Sequence, residues 1–296
     1  MQNSKARTLN VVRTVLVLFL VGLTSGLAAQ TRYDIYIHGF TVNEQSCHDQ
    51  AYCPKVWTEQ HNTNPVRHVA YNGWRDPLVW SSDRGAYKLV SILNKYCLKS
   101  GPNTCRVFCH SMGCLTSGYV MANYGSNYRL SGVTAIASAQ GGSEYANLGV
   151  GVAIAAFGIL GGIAVETVVD ALPRLMVSRA RNSGYSHDDT DGVPFQHTVG
   201  TKDLFWPLNQ ILPGGDDSVV AFHSTCAMAE SGGFDTCGAH SSNYWDICKT
   251  GGWIKIPYPC QKSRFHRQLD NHAIYTKFHE SHRPIADKRA FQVPAN

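Results

Sequence analysis

The apolar and polar positions divide this chain into several strand-like stretches, one clear amphipathic helix and a set of turns. Tyr33 to His38 alternates, is rich in strand formers and runs into Gly39-Phe40, which predicts a buried strand ending at a tight turn. The stretch to about Asn64 holds Cys47, Cys53 and several polar residues and reads as a pinned loop. Val66 to Tyr71 predicts a second strand. From Asp83 to Cys97, the apolar residues Ala86, Leu89, Val90, Leu93 and Cys97 recur at helical spacing. Cys105 to Cys109 is then a short strand, His110-Ser111-Met112-Gly113 a turn, Cys114 to Tyr124 a helix, and Gly132 to Ser138 the next strand. Strand, helix and strand in that order imply a parallel pair joined by a right-handed crossover. Phe195 to Gly200 adds another strand. The fold class is α/β, with a mostly parallel central sheet flanked by helices.

One segment departs from this alternation. Tyr145 to Val165 carries no charge over 21 residues and contains five glycines. Its length permits a membrane span, and Gly158 and Gly162 fit the small-residue spacing of packed membrane helices. It nevertheless lies between strands that must share one sheet, and glycines weaken an isolated helix. We expect a cap or lid insertion over about 144–190, covering an apolar site; a buried core helix is the competing reading.

The N-terminus changes the charge picture. Lys5, Arg7 and Arg13 precede an uncharged apolar run ending in Gly26-Leu-Ala-Ala-Gln30, the pattern of a secretory signal peptide over 1–29. The formal charge of +5 rests on 26 basic and 21 acidic residues; without the three leader bases it becomes 23 against 21, or +2. That balance argues against a nucleic-acid partner. Residues 30–296 suffice for one α/β domain with a full core. All ten cysteines follow the leader, and an exported chain meets an oxidising compartment, so disulfides are expected. Sequence-near pairs are Cys47–Cys53, Cys97–Cys105, Cys226–Cys237 and Cys248–Cys260, although spacing does not settle connectivity. Zinc is disfavoured because the sequence holds no CxxC pair.

The chemistry centres on Cys109-His110-Ser111-Met112-Gly113. A serine hydroxyl becomes a nucleophile only when a base takes its proton and a fixed geometry presents it. A sharp strand-to-helix turn lifts the side chain above the sheet and leaves the next backbone N–H to bind an oxyanion. Cys109 stands where a glycine is usual. It and Cys114 flank Ser111 and are expected as small buried thiols, with a local disulfide as the alternative. A second oxyanion donor should come from a loop after an earlier strand, where His38-Gly39-Phe40 sits. Phe40 and Met112 amides would form the hole, and Gly39 would allow close approach. His110 is expected to pack or position rather than act as a base.

His38-Gly-Phe, His110-Ser-Met-Gly, Gly141-Gly-Ser143 and Asp217-Ser-Val-Val together resemble the bacterial extracellular lipases and esterases of the α/β-hydrolase superfamily. The resemblance runs in order from about Tyr33 to His272. It implies an α/β-hydrolase fold, a Ser–Asp–His triad in that chain order, an acyl-enzyme and no cofactor. The acid would be Asp217, where Ser218 replaces the family's glycine, with Asp216 as its neighbour and rival. The base must follow the acid, which leaves His223, His240, His266, His272, His279 and His282. His272, with a polar approach and an apolar continuation like a loop entering a helix, is the first choice; His279 and His240 are its rivals. Some lipase relatives bind a structural calcium, for which Asp188, Asp189 and Asp191 beside His187 offer oxygens, but a solvated acidic loop is the simpler reading.

The implied function is a secreted, monomeric carboxylic-ester hydrolase acting on acyl esters or polyester, with transient lipid-interface contact. Extracellular polyhydroxyalkanoate depolymerases share the fold and would look similar at this level. A non-catalytic secreted module that kept the fold, or a protein retained at a membrane by 145–165, are readings of other classes.

Overall fold

The computed structural model describes residues 30–40, 64–73, 75–143, 146, 171–176, 180, 192–200, 219–220, 222–225 and 274–278. The proposed leader, nearly all of the 144–190 insertion, and Asp217, His272 and their rivals except His223 lie outside these residues. The cysteine pairs other than Cys97–Cys105, and the acidic cluster at 188–191, lie outside them as well.

Strand β1 spans Arg32–Ile37 and β2 spans Val66–Val69. Helix α1 is Gly85–Tyr96, β3 is Thr104–His110, α2 is Met112–Tyr124 and β4 is Leu130–Ile136. Farther on come the short helix α3 (Leu172–Leu175), β5 (Phe195–Gly200), the short helix α4 (Phe222–Thr225) and β6 (Ile274–Phe278). The six strands form one sheet in the order β2-β1-β3-β4-β5-β6, and every neighbouring pair is parallel. The chain steps from β1 to β2 on one side, then crosses back to place β3 on the other. This reversal is a topological switch point, and in open α/β sheets the crevice beyond the carboxyl ends of such strands is where ligands bind.

The inner face explains why these residues form these elements. Ile35 and Ile37 of β1, Val107 and Cys109 of β3, and Val133 and Ala135 of β4 join one core with Ala86, Leu89 and Leu93 of α1. The apolar spacing seen in the sequence between Asp83 and Cys97 is therefore the buried face of α1. Fully burying each such aliphatic side chain contributes about 1.5–3 kcal/mol. Helix α2 is buried through most of its length, from Met112 to Met121, as suits a helix following a central strand. The expected Cys97–Cys105 disulfide ties the end of α1 to β3. On the opposite face, Asp34 is fully buried and takes two bonds from Arg106, Nε to Oδ1 at 3.2 Å and Nη2 to Oδ2 at 3.0 Å. A buried carboxylate requires such a partner.

Three expectations change. Helix α2 begins at Met112, directly after Ser111, rather than at Cys114. β2 stops at Val69, which leaves Tyr71 in the following turn to serve another purpose. The apolar run after His272 is not a helix but strand β6, pairing Ile274 with Gln196 and Phe278 with Gly200. A short apolar run does not by itself separate helix from strand, and here the parallel pairing with β5 decides it. The parallel sheet, its flanking helices and the strained serine turn between β3 and α2 make this an α/β-hydrolase fold.

Candidate active site

Ser111 occupies the turn from β3 into α2 with φ 53° and ψ −127°. Only Ser111 and Ala137 among the described non-glycine residues have positive φ. Both lie at the carboxyl edge of the sheet, one after β3 and the other after β4. Such conformations cost on the order of 1–3 kcal/mol and persist only where the surroundings enforce them. The enforcement at Ser111 is explicit: its N–H donates to Ile136 O at 3.1 Å, and its carbonyl accepts from Cys114 N at 3.0 Å and Ala139 N at 3.1 Å. The loop after β4 thus holds the serine backbone from the side. Nothing in the sequence singled out Ala137 or Ala139, because both act through their main chain.

The two glycines of the motifs are needed for close approach. A Cβ on Gly39 would lie 2.5 Å from Ser111 Cβ and 3.1 Å from Ser111 Oγ, so the loop after β1 presses directly on the nucleophile. A Cβ on Gly113 would lie 2.4 Å from His38 O and 2.8 Å from Ile37 O. The glycine two places after the serine is therefore what lets α2 start against the end of β1. Gly39, with Phe40 next in the chain, meets Ser111 at the switch point between β1 and β3. Met112 begins α2, where the first N–H groups of a helix have no intrahelical acceptor and the helix dipole favours negative charge.

The loop carrying Phe40 is fixed from behind. Tyr71 Oη donates to His38 O at 2.7 Å, and lies 3.4 Å from Gly39 O. The His38 ring stacks on Tyr71 with centroids 4.3 Å apart. Its Nδ1 is 2.8 Å from Gly39 O; since a carbonyl can only accept, Nδ1 carries the proton. Burial draws the His38 pKa down to about 4, so the ring is neutral near pH 7. Burial also pushes the Tyr71 phenol well above its ordinary value, which keeps the donating proton in place. The sequence pointed to His38 and Gly39 but gave Tyr71 only a strand position.

Cys109 and Cys114, expected as thiols, form a disulfide across the turn, and no free cysteine occurs among the described residues. Both are fully buried. This accounts for the missing glycine, because the Cys109 side chain is accommodated by bonding to the first turn of α2.

The Gly141-Gly-Ser143 segment joins the serine to a later part of the chain. Ser143 Oγ donates to Val219 O at 2.6 Å, and Gly141 N donates to Ser224 O at 2.9 Å. A Cβ on Gly141 would lie 2.6 Å from Ser224 O, so glycine is needed there too. Val219 and Val220 are fully buried. Of the five predicted site residues, Ser111, Phe40 and Met112 are described: Met112 follows Ser111 in the turn, and Phe40 follows Gly39, whose backbone packs on Ser111; Asp217 and His272 lie outside. Among the described residues no His, Cys, Asp and Glu cluster could hold a metal, and no helix is long and apolar enough to cross a membrane.

No family model and no curated protein matches the sequence. Among solved structures, the fold is similar to the mature form of the Bacillus licheniformis lipase BlEst2, at 14% identity and a TM-score of 0.46, over 68% of this chain and 81% of that one. It is also similar to the metagenomic carboxyl esterase MGS0156, at 16% identity and a TM-score of 0.45, over 65% of this chain and 59% of that one. Phospholipase PlaB from Legionella pneumophila is similar at 18% identity and a TM-score of 0.45, over 67% of this chain and 46% of that one. Likeness at this level assigns no residue a role.

Proposed function

We propose that this protein is a secreted serine hydrolase of carboxylic esters, of lipase or esterase type, working through an acyl-enzyme on Ser111. The observation that carries this reading is the strained Ser111 turn, with the Gly39 backbone pressed against the serine side chain. Backbone strain of this kind clusters at functional sites, and of the two strained non-glycine residues described at this edge only Ser111 carries a nucleophile. In the proposed reading it presents the hydroxyl at the edge of the sheet where the loop after β1 and the start of α2 meet. Ser111 Oγ would attack the ester carbonyl while the Phe40 and Met112 amides take the developing oxyanion. A histidine would accept the serine proton and return it to the leaving alcohol, and Asp217 would fix that ring's tautomer.

The docking of Val219 supports Asp217. Val219 O accepts from Ser143 Oγ, in the segment after β4 whose Ala139 N–H donates to the Ser111 carbonyl, and Asp217 comes two residues before Val219 in the chain.

His110, Ile136, Thr198 and Thr276 share one row across β3, β4, β5 and β6. β6 is parallel to β3, so its last residue, Phe278, lies toward the edge that carries Ser111 and its first, Ile274, toward the opposite edge. For the base we therefore propose a histidine that follows β6 in the chain, His282 or His279, ahead of His272, which precedes it.

The test is fluorophosphonate labelling with peptide mapping, run beside hydrolysis of p-nitrophenyl esters from short to long acyl chains. Labelling should map to Ser111, and Ser111→Ala should remove both labelling and hydrolysis. Ester hydrolysis that survives Ser111→Ala would refute the assignment.

A further inference from the structure

We propose that the Cys109–Cys114 disulfide is a positioning element of the active site that holds the Ser111 turn in its reactive conformation. The inference rests on the reading of Ser111 as the nucleophile. Cys109 is the penultimate residue of β3, paired with Ile37 on one side and Ala135 on the other. Cys114 lies in the first turn of α2. The bond between them spans only His110, Ser111, Met112 and Gly113, with Cα atoms 4.9 Å apart.

The turn inside this small ring holds a non-glycine residue at φ 53°, which the chain would relax if it could. The hydrogen bond that Ser111 N–H donates to Ile136 O, and those that its carbonyl accepts from Cys114 and Ala139, oppose that relaxation, but each can open with a small shift of the loop after β4 or of the helix start. A covalent link from strand to helix cannot. It fixes the distance between the last paired part of β3 and the first turn of α2. It thereby fixes both the direction of Ser111 Oγ and the position of Met112 N–H, the two groups that must sit about 3 Å from one reacting carbonyl.

The second disulfide provides the internal control. Cys97–Cys105 joins the end of α1 to the beginning of β3, at the far end of that strand from Ser111, and also closes a short ring, with a sequence separation of 8 against 5. A bridge that merely stabilises should behave alike at both places. A bridge that positions Ser111 should affect turnover only at 109–114.

The experiment compares C109A/C114A and C97A/C105A with the wild-type chain. It measures Tm, kcat and KM on a p-nitrophenyl ester, and the rate of fluorophosphonate labelling at Ser111. For C109A/C114A, kcat and labelling rate should fall on the order of 10- to 100-fold, the scale of an ångström-sized misplacement, with KM within about twofold. For C97A/C105A, kcat and labelling should stay near wild type although Tm falls by a comparable amount. Equal kcat losses in the two variants, or no loss in C109A/C114A, would overturn the proposal. If C109A/C114A gives no folded protein, C109A/C114V restores the lost apolar volume; failure of that variant as well would make the bridge a folding element and also overturn the proposal. A wild-type chain that takes no label at all would instead refute Ser111 as a nucleophile, so the two failures are distinguishable.

Discussion

Substituting Gly39 by alanine tests the site at its tightest contact. Gly39 is not among the residues with positive φ, so alanine carries no backbone penalty there. The added Cβ would fall 2.5 Å from Ser111 Cβ, 3.0 Å from His110 O and 3.1 Å from Ser111 Oγ. Ordinary contact begins near 3.4 Å, so Ser111 and the loop must separate by close to 1 Å. Two of the three contacts are to Ser111 itself, and the displaced loop carries the Phe40 amide. Misplacing a reacting group by an ångström costs on the order of 10²-fold, and losing one oxyanion donor about 10²–10³-fold. Since the same shift causes both, the effects overlap. We expect kcat/KM to fall about 10²–10³-fold, or about 2.7–4 kcal/mol of barrier. Overpacking costs about 1–3 kcal/mol of stability, too little to remove the fold from a typical domain. The assay is steady-state hydrolysis of p-nitrophenyl butyrate, with a thermal melt to confirm folding. A Gly39→Ala protein that melts normally and keeps kcat/KM within threefold of wild type would refute the packing of this loop on the nucleophile.

The remaining predictions separate stability from chemistry. Asp34→Ala should cost about 3–5 kcal/mol, because it strands the largely buried Arg106 cation, and it should leave kcat of the folded protein unchanged, since the pair sits four residues below His38; a shift in urea midpoint worth less than 1 kcal/mol would mean that the pair behaves as an exposed one. Burial lowers the pKa of both His38 and His68 to about 4. The unfolded chain therefore binds more protons between pH 6.5 and 4, and stability is full above about 6.5 and falls as pH drops toward 4. Each ring contributes on the order of 3 kcal/mol to that fall. His68 stacks on Tyr36 and neither of its ring nitrogens has a hydrogen-bond partner, so His68→Phe should keep the packing and make the acid limb shallower by about that amount in urea titrations at pH 7, 5.5 and 4.5. His282→Ala or His279→Ala should lower kcat by several orders of magnitude while His272→Ala stays within a few-fold of wild type; the reverse result would return the base to His272.

What the sequence made legible follows from where its signals are local. The helical spacing of Ala86, Leu89, Val90 and Leu93 survives into α1 because one face of that helix meets the sheet. The pairing of His38-Gly39-Phe40 with Ser111 was legible because close backbone approach demands glycine at a particular place, and sequence records that demand directly. Tyr71, Ala137 and Ala139 were not legible. Tyr71 acts through a hydroxyl 33 residues away from its acceptor, and the two alanines act through backbone groups that any residue carries. The Ile274–Phe278 run was misjudged because five residues cannot separate a helical period from a strand period, and only the partner strand β5 decides between them.

The same contrast accounts for Cys109, which taken alone weakens the serine motif. A glycine is usual there because the turn leaves little room, and by that rule any side chain is a defect. With Cys114 five residues on, the side chain becomes half of a bond closing the turn. A free sulfhydryl would have to fit the crowded space by yielding; a bonded sulfur instead removes freedom from the backbone around it. Glycine leaves this turn small but pliant, whereas the disulfide makes it small and fixed. A chain using the second solution depends less on the surrounding loops to keep Ser111 at its unfavourable φ. Accordingly, the loop after β4, which donates Ala139 N–H to the Ser111 carbonyl, should tolerate substitution better in this protein than in its C109G/C114A variant. Ala139→Pro removes that N–H donor and provides the comparison: a larger fractional loss of kcat in the glycine background than in the disulfide background is the expected result, and equal losses would show that the bridge and the hydrogen bond do not share the task.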